Sequence, residues 1–175
     1  EAYSRPRTNG INAITIREGD QLLEAKMTTG NSHIMMAVKS GKAIHFEEEK
    51  VRSMGRTAAG VRGIRLANDT DEVVGMICIE DTTSSVLVVA ENGYGKRSAV
   101  EDYRITNRGG KGVKTINITD KTGPLISLKN VSDIDDLMVI NKSGVTIRIG
   151  VDTLRVMGRA TQGVKLIRLR DDDSI

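Results

Sequence analysis

The chain has no tryptophan, and Tyr3, Tyr94, Tyr103 and Phe46 are its only Tyr or Phe rings, so whatever core it forms is aliphatic, built from Val, Ile, Leu and Met. With so few rings, a stacking platform for unpaired bases is disfavoured. A single cysteine, Cys78, excludes an internal disulfide, and its setting in Val73–Ile79 is that of a buried thiol inside a strand. No apolar run approaches membrane-spanning length and no signal peptide is visible, which points to a soluble, cytoplasmic protein with no membrane partner. His33 and His45 are the only histidines; they fall in predicted strands at unrelated registers, which argues against a metal site. Glu47–Glu49 and Asp171–Asp173 have the look of solvated turns rather than cation ligands.

What is abundant is repetition. A glycine followed by apolar residues at its first, fourth and sixth positions recurs at Gly10, Gly60, Gly112 and Gly163, in steps of 50, 52 and 51 residues. A second set, Gly41, Gly93 and Gly144, stands 19 residues before the last three of these. Between them lies a third shared element, Val51–Arg56, Tyr103–Arg108 and Leu154–Arg159, in which an apolar residue precedes one arginine and a second arginine follows four positions later. Such periods belong to supersecondary units that bury their apolar faces only against one another.

Each unit offers short β-branched and aliphatic runs bounded by turn residues. His33–Val38, Ser85–Ala90 and Asp136–Ile140 each lead into a Gly-containing turn and a further strand, a hairpin signal. After the repeated glycine a strand and a polar turn feed one more strand. About four strands per repeat, without helical periodicity, predict an all-β, propeller-like array of four-stranded antiparallel blades. The glycines inside the arginine element argue against a helix there. The repeats run approximately 10–59, 60–111 and 112–162, with an incomplete unit at 163–175. Glu1–Arg7 resembles the tail of a preceding arginine element, so the array is expected to be part of a longer one.

The net charge of +3 is modest, but its distribution is not. The segments 5–17, 52–66, 104–118 and 155–170 hold 3, 4, 4 and 5 basic residues, sixteen of twenty-six, and no Asp or Glu. Ordinary surfaces intersperse both signs, so four acid-free segments in phase predict a basic stripe across the stacked repeats. A phosphate backbone complements it, since each neutralised phosphate releases condensed counterion. The expected contacts are Arg52, Arg56, Arg62, Arg104, Arg108, Lys111, Arg155, Arg159 and Lys165. The backbone amides of Gly109, Gly110 and Gly112 are expected to approach phosphate closely. Double-stranded DNA is the favoured partner, and an acidic protein docked on a propeller the competing one. Nothing in the pattern supports a catalytic centre.

These same residues carry a resemblance. Arg108-Gly109-Gly110-Lys111-Gly112 resembles the core of the Q-R-R-G-G-K-G box of the DNA gyrase A C-terminal domain, with Thr106 and Asn107 where the box has Gln-Arg. The RxMGRxxxG wording of Arg52–Gly60 and Arg155–Gly163 is similar to that family's blades, as is the turn Asn92–Arg97. The resemblance implies a β-pinwheel, a partial array of blades that exchange strands, with DNA wrapped around a basic rim. It implies a role in presenting a transport segment for ATP-dependent negative supercoiling, in a homodimeric gyrase A partnered by gyrase B. ATP and Mg2+ would act elsewhere in that assembly, with no cofactor or metal in this chain. The equivalent domain of topoisomerase IV is the near alternative.

Overall fold

A computed structural model describes residues 2–5 and 7–175; Glu1 and Pro6, within the stretch expected to be the tail of an arginine element, lie outside the described residues. Two hairpins set the order of elements: β1 (His33–Val38) with β2 (Lys42–Glu47), and β4 (Ser85–Ala90) with β5 (Tyr94–Ala99). Each hairpin gains a third strand from the chain that follows it, β3 (Val73–Ile79) beside β1 and β7 (Leu125–Val131) beside β4. The fourth strand is borrowed from beyond the next hairpin. β6 (Val113–Lys114) pairs with β2, and β10 (Val164–Lys165) pairs with β5. The sheets therefore run β3-β1-β2-β6 and β7-β4-β5-β10, all antiparallel, and β8 (Asp136–Ile140) with β9 (Thr146–Gly150) forms a two-stranded third sheet.

The strand expected after each repeated glycine is thus only two residues long, and it belongs to the preceding blade's sheet. Its anchor is the hairpin turn. The Gly41 carbonyl accepts from the amides of Thr115 and Ile116, and the Gly93 carbonyl from Leu166 and Ile167. Gly112 and Gly163 have φ of +68° and +83°, and a Cβ there would lie 2.5 Å from the Ala43 carbonyl oxygen and 2.6 Å from that of Gly95. Backbone conformation and close approach both require glycine at these two positions. The copies beginning at Gly10 and Gly60 form no strand, because no hairpin edge among the described residues faces them.

Between the first two sheets the core is aliphatic: Met35, Ala37, Ile77 and Ile79 meet Val86, Val88, Leu125 and Leu128. Leu87 and Val89 on the far side of the second sheet pack with Leu137 and Ile149 of the third. Each fully buried side chain of this size contributes roughly 1.5–3 kcal/mol of transfer free energy. Tyr94 and Tyr103 join the cluster between the first two sheets; the Tyr103 hydroxyl is bonded to Thr115 Oγ1 and burial pushes its pKa up.

The structure corrects one reading of the sequence, the depth of Cys78, and adds two features to it. Each arginine element is preceded by a single 3₁₀ turn, Glu48–Lys50, Val100–Asp102 and Val151–Thr153, which close with i→i+3 bonds too local for periodicity to reveal. Cys78 is half-buried on the outer face of the first sheet beside Met76 rather than deep in the core. One carboxylate of each acidic run bonds into the fold. Glu48 caps the chain ahead of β1 by accepting from the amides of Gly30 and Ser32 and from Thr28, and Asp173 holds Asn141 and Ser143 in the last hairpin turn.

Candidate nucleic-acid interface

Two of the acid-free segments are laid along the edge strand of the blade before them. Residue 105 bridges His45 of β2 in parallel, the Thr106 amide donates to the His45 carbonyl at 2.8 Å, and the segment loops back to pair β6 with residues 42–43. The next copy repeats this on β5, where Val156 bridges Arg97 and the Met157 amide donates to the Arg97 carbonyl at 2.8 Å. The same strand position in the first two sheets therefore carries the same basic stretch.

The two arginines of each element do different things. Arg52, Arg104 and Arg155 are exposed and make no hydrogen bond or ion pair among the described residues. The second arginines are half-buried clips. Arg108 donates from Nε to the Lys50 carbonyl at 2.8 Å and from Nη1 to the Arg62 carbonyl at 3.1 Å. Arg159 donates from the same nitrogens to the carbonyls of Asp102 and Lys114, both at 3.0 Å. Arg56 Nη1 reaches the Asn12 carbonyl at 3.1 Å. Asn12, Arg62 and Lys114 each stand two residues after a repeated glycine, so one guanidinium clip recurs at every junction. Because carbonyl oxygens carry no formal charge, the clips keep their full positive charge and three of the five N–H groups of Arg108 and Arg159 remain available.

Arg62, Lys111 and Lys165 are exposed, and the Lys165 ammonium lies 5.6 Å from the Tyr94 ring centroid, with Lys121 at 5.5 Å from the same ring. Of the three glycines expected to offer amides, Gly109 has its own engaged within the fold. The Gly109 amide donates to the Gly63 carbonyl, the Gly110 carbonyl accepts from Arg65, and Gly112 closes on Ala43. Among the described residues, every ion pair lies outside the four basic segments: Lys26, Lys39, Lys50, Arg97 and Arg148 take the carboxylates.

Two latches that periodicity did not reveal set where the segments sit. Contrary to the expectation of unrelated registers, His33 Nδ1 and His45 Nε2 are 3.0 Å apart, diagonal neighbours in the first hairpin. His45 Nδ1 lies 2.8 Å from the Tyr103 carbonyl, so that N–H donates to it and Nε2 accepts from His33. Burial lowers the His45 pKa, with His33 adding to the effect and the Tyr103 carbonyl opposing it. Arg97 takes the same register in the second blade, reaching the Leu154 carbonyl and Asp133. Beside it Lys96, 1% exposed, donates to the Gly158 carbonyl at 2.6 Å, and burial brings its pKa down to about 8. No group of three or more His, Cys, Asp or Glu suited to a metal occurs among the described residues, nor any helix long and apolar enough to cross a membrane.

The model of the DNA gyrase C-terminal domain, a β-propeller family, matches residues 32–80, 84–132 and 135–175. The A chain of DNA gyrase from Staphylococcus aureus strain MRSA252 is 45% identical over 174 residues, 99% of this chain, as is that of strain NCTC 8325. The chain spans about a fifth of the length of those curated relatives. A solved DNA gyrase A C-terminal domain superposes with a TM-score of 0.85 at 25% identity, covering 95% of this chain and 56% of that one. A topoisomerase IV C-terminal domain gives 0.89 at 21% identity over 95% and 52%, a likeness of fold. The strand-exchanged sheets, the threefold family match and the identity along the whole sequence agree: this chain belongs to the DNA gyrase C-terminal domain family and has its β-pinwheel fold.

Proposed function

We propose that this chain binds and bends duplex DNA along its rim as part of the C-terminal domain of a gyrase A protein. In the assembled enzyme, with gyrase B, that wrapping presents a transport segment so that ATP-dependent strand passage introduces negative supercoils. The carrying observation is the alignment of acid-free basic segments along the edge strands of consecutive blades, their charge unpaired by any carboxylate among the described residues. An acidic protein partner would also meet positive charge, but a stripe repeated once per blade suits a polymer of evenly spaced phosphates. Bending 20–30 base pairs by 40–90° costs on the order of 1–6 kcal/mol, so contacts from several blades act together. The 45% identity lies with gyrase A, while the topoisomerase IV likeness is one of fold, which favours the gyrase reading. The chain's own part is electrostatic and geometric, with bond breakage and ATP hydrolysis assigned to other domains.

The test is topological. Nicked circular DNA is sealed by ligase with the chain bound at low salt, then deproteinised and resolved by linking number. A shift towards positive linking differences is expected, and a distribution identical to that without protein refutes the proposal.

A further inference from the structure

Lys42 lies outside every basic segment singled out in the sequence, yet the fold delivers it to the rim. It is the first residue of β2 and stands directly opposite Lys114 of β6. Residues directly opposite in an antiparallel pair project to the same face, and like charges there are destabilising. Neither lysine has an ion-pair partner among the described residues: Lys114 Nζ donates to the neutral amide oxygen of Asn117 at 3.2 Å, and Lys42 makes no side-chain bond. A third cation joins them, since Arg159 Nη1 rests on the Lys114 carbonyl at 3.0 Å. The three units that match the family model, 32–80, 84–132 and 135–175, thus bring one positive charge each to the strand pair of Lys42 and Lys114.

The second junction shows how such crowding is relieved internally. There Tyr94 takes the place of Lys42 opposite Lys165, and its ring accepts that lysine at 5.6 Å. The first junction has no ring, and Asp69, which stands at the register of Lys121, makes no ion pair with Lys42. Strand exchange holds Lys42 and Lys114 together whether or not an anion is present. A group with several acceptor oxygens and a negative charge complements an ammonium pair and a guanidinium that keeps unused N–H groups.

We propose that Lys42, Lys114 and Arg159 form one composite phosphate-binding site at the junction of the three blades, with Lys42 a DNA contact of the rim. This rests on the DNA-binding reading above, and the arms of the test separate the two. Binding of the full chain to a short duplex is measured across a salt series, alongside thermal unfolding without DNA at low salt. Lys42→Gln is expected to flatten the log–log salt dependence by about 0.9, the slope of one neutralised phosphate, while raising the unfolding temperature by relieving the lysine pair. Lys42→Arg should keep the wild-type slope, and Lys129→Gln, on β7, should leave slope and affinity unchanged. An unchanged slope in Lys42→Gln, while Arg104→Ala/Arg155→Ala flattens it, overturns the site and leaves the DNA reading intact. No flattening in either overturns both. A lowered unfolding temperature in Lys42→Gln also overturns the site, because its premise of unrelieved repulsion fails.

Discussion

The two arginines of the third element offer a clean separation of charge from scaffold. Arg159 makes two guanidinium hydrogen bonds, to the main-chain carbonyls of Asp102 and Lys114, each 3.0 Å long, whereas Arg155 is exposed and without a partner among the described residues. Hydrogen bonds to charged groups contribute about 1.5–3 kcal/mol each when well shielded. At this half-exposed site the freed carbonyls of Arg159→Ala regain water, so the loss for the pair is about 2 kcal/mol. For a domain of this size, that lowers the melting temperature by about 4–8 °C. Arg155→Ala should stay within about 0.5 kcal/mol of the wild type, as for a surface change that touches nothing. Arg159→Lys keeps the charge but not the planar fork, so it should remain destabilised. On DNA the order differs: Arg155→Ala flattens the log–log salt dependence by about 0.9 with its fold intact. Calorimetry and a fluorescence-anisotropy salt series on the three variants decide it. If Arg155→Ala melts as low as Arg159→Ala, or if Arg159→Ala melts with the wild type, the division into contacts and clips is wrong.

Two further outcomes follow from the geometry. Gly112→Ala meets both a φ of +68° and the Ala43 carbonyl oxygen at 2.5 Å, whereas Gly60→Ala meets only a φ of +84° with open space around it. Gly60→Ala should therefore cost about 1–2 kcal/mol, the penalty of a left-handed residue, and Gly112→Ala clearly more; equal unfolding midpoints in urea would contradict the close packing of the exchanged strand. Because the folded-state pKa of His45 lies below its ordinary 6.5, the unfolded chain takes up that proton first. Stability from this group is present above pH 6.5 and is lost as pH falls through the lowered value. The difference in unfolding free energy between wild type and His45→Gln should shrink on acidification from about pH 7 to about pH 5, and a difference that stays constant would exclude the histidine latch.

The repeat, its glycines and the strand-rich class were legible because they rest on local chemistry. A left-handed glycine with backbone packed against it tolerates no other residue, so Gly41, Gly93, Gly112 and Gly163 stand out in any reading of the chain. Hidden was everything that depends on which sheet a segment joins. Val113–Lys114 looks like the start of its own blade, yet its partners Lys42 and Ala43 lie in the first hairpin, with the whole second hairpin between them in sequence. The pairing of arginines four apart suggested equal duties for both, because a carbonyl acceptor in another repeat leaves no trace in composition. Arg108 and Arg159 are distinguished from Arg104 and Arg155 by their carbonyl acceptors, Lys50 and Arg62 for the one and Asp102 and Lys114 for the other. The histidine pair was missed for a similar reason: hairpin register places His33 diagonally across from His45, although the two are twelve positions apart in sequence.

Strand exchange also changes what a break in the chain would do. A protease cutting in the exposed turn at Asn68–Thr70, between β2 and β6, would leave β1 and β2 on one fragment and β3 and β6 on the other, still joined by a complete hydrogen-bonded ladder. The nicked molecule would remain a single particle under native conditions and come apart only in denaturant, as links woven into one another do.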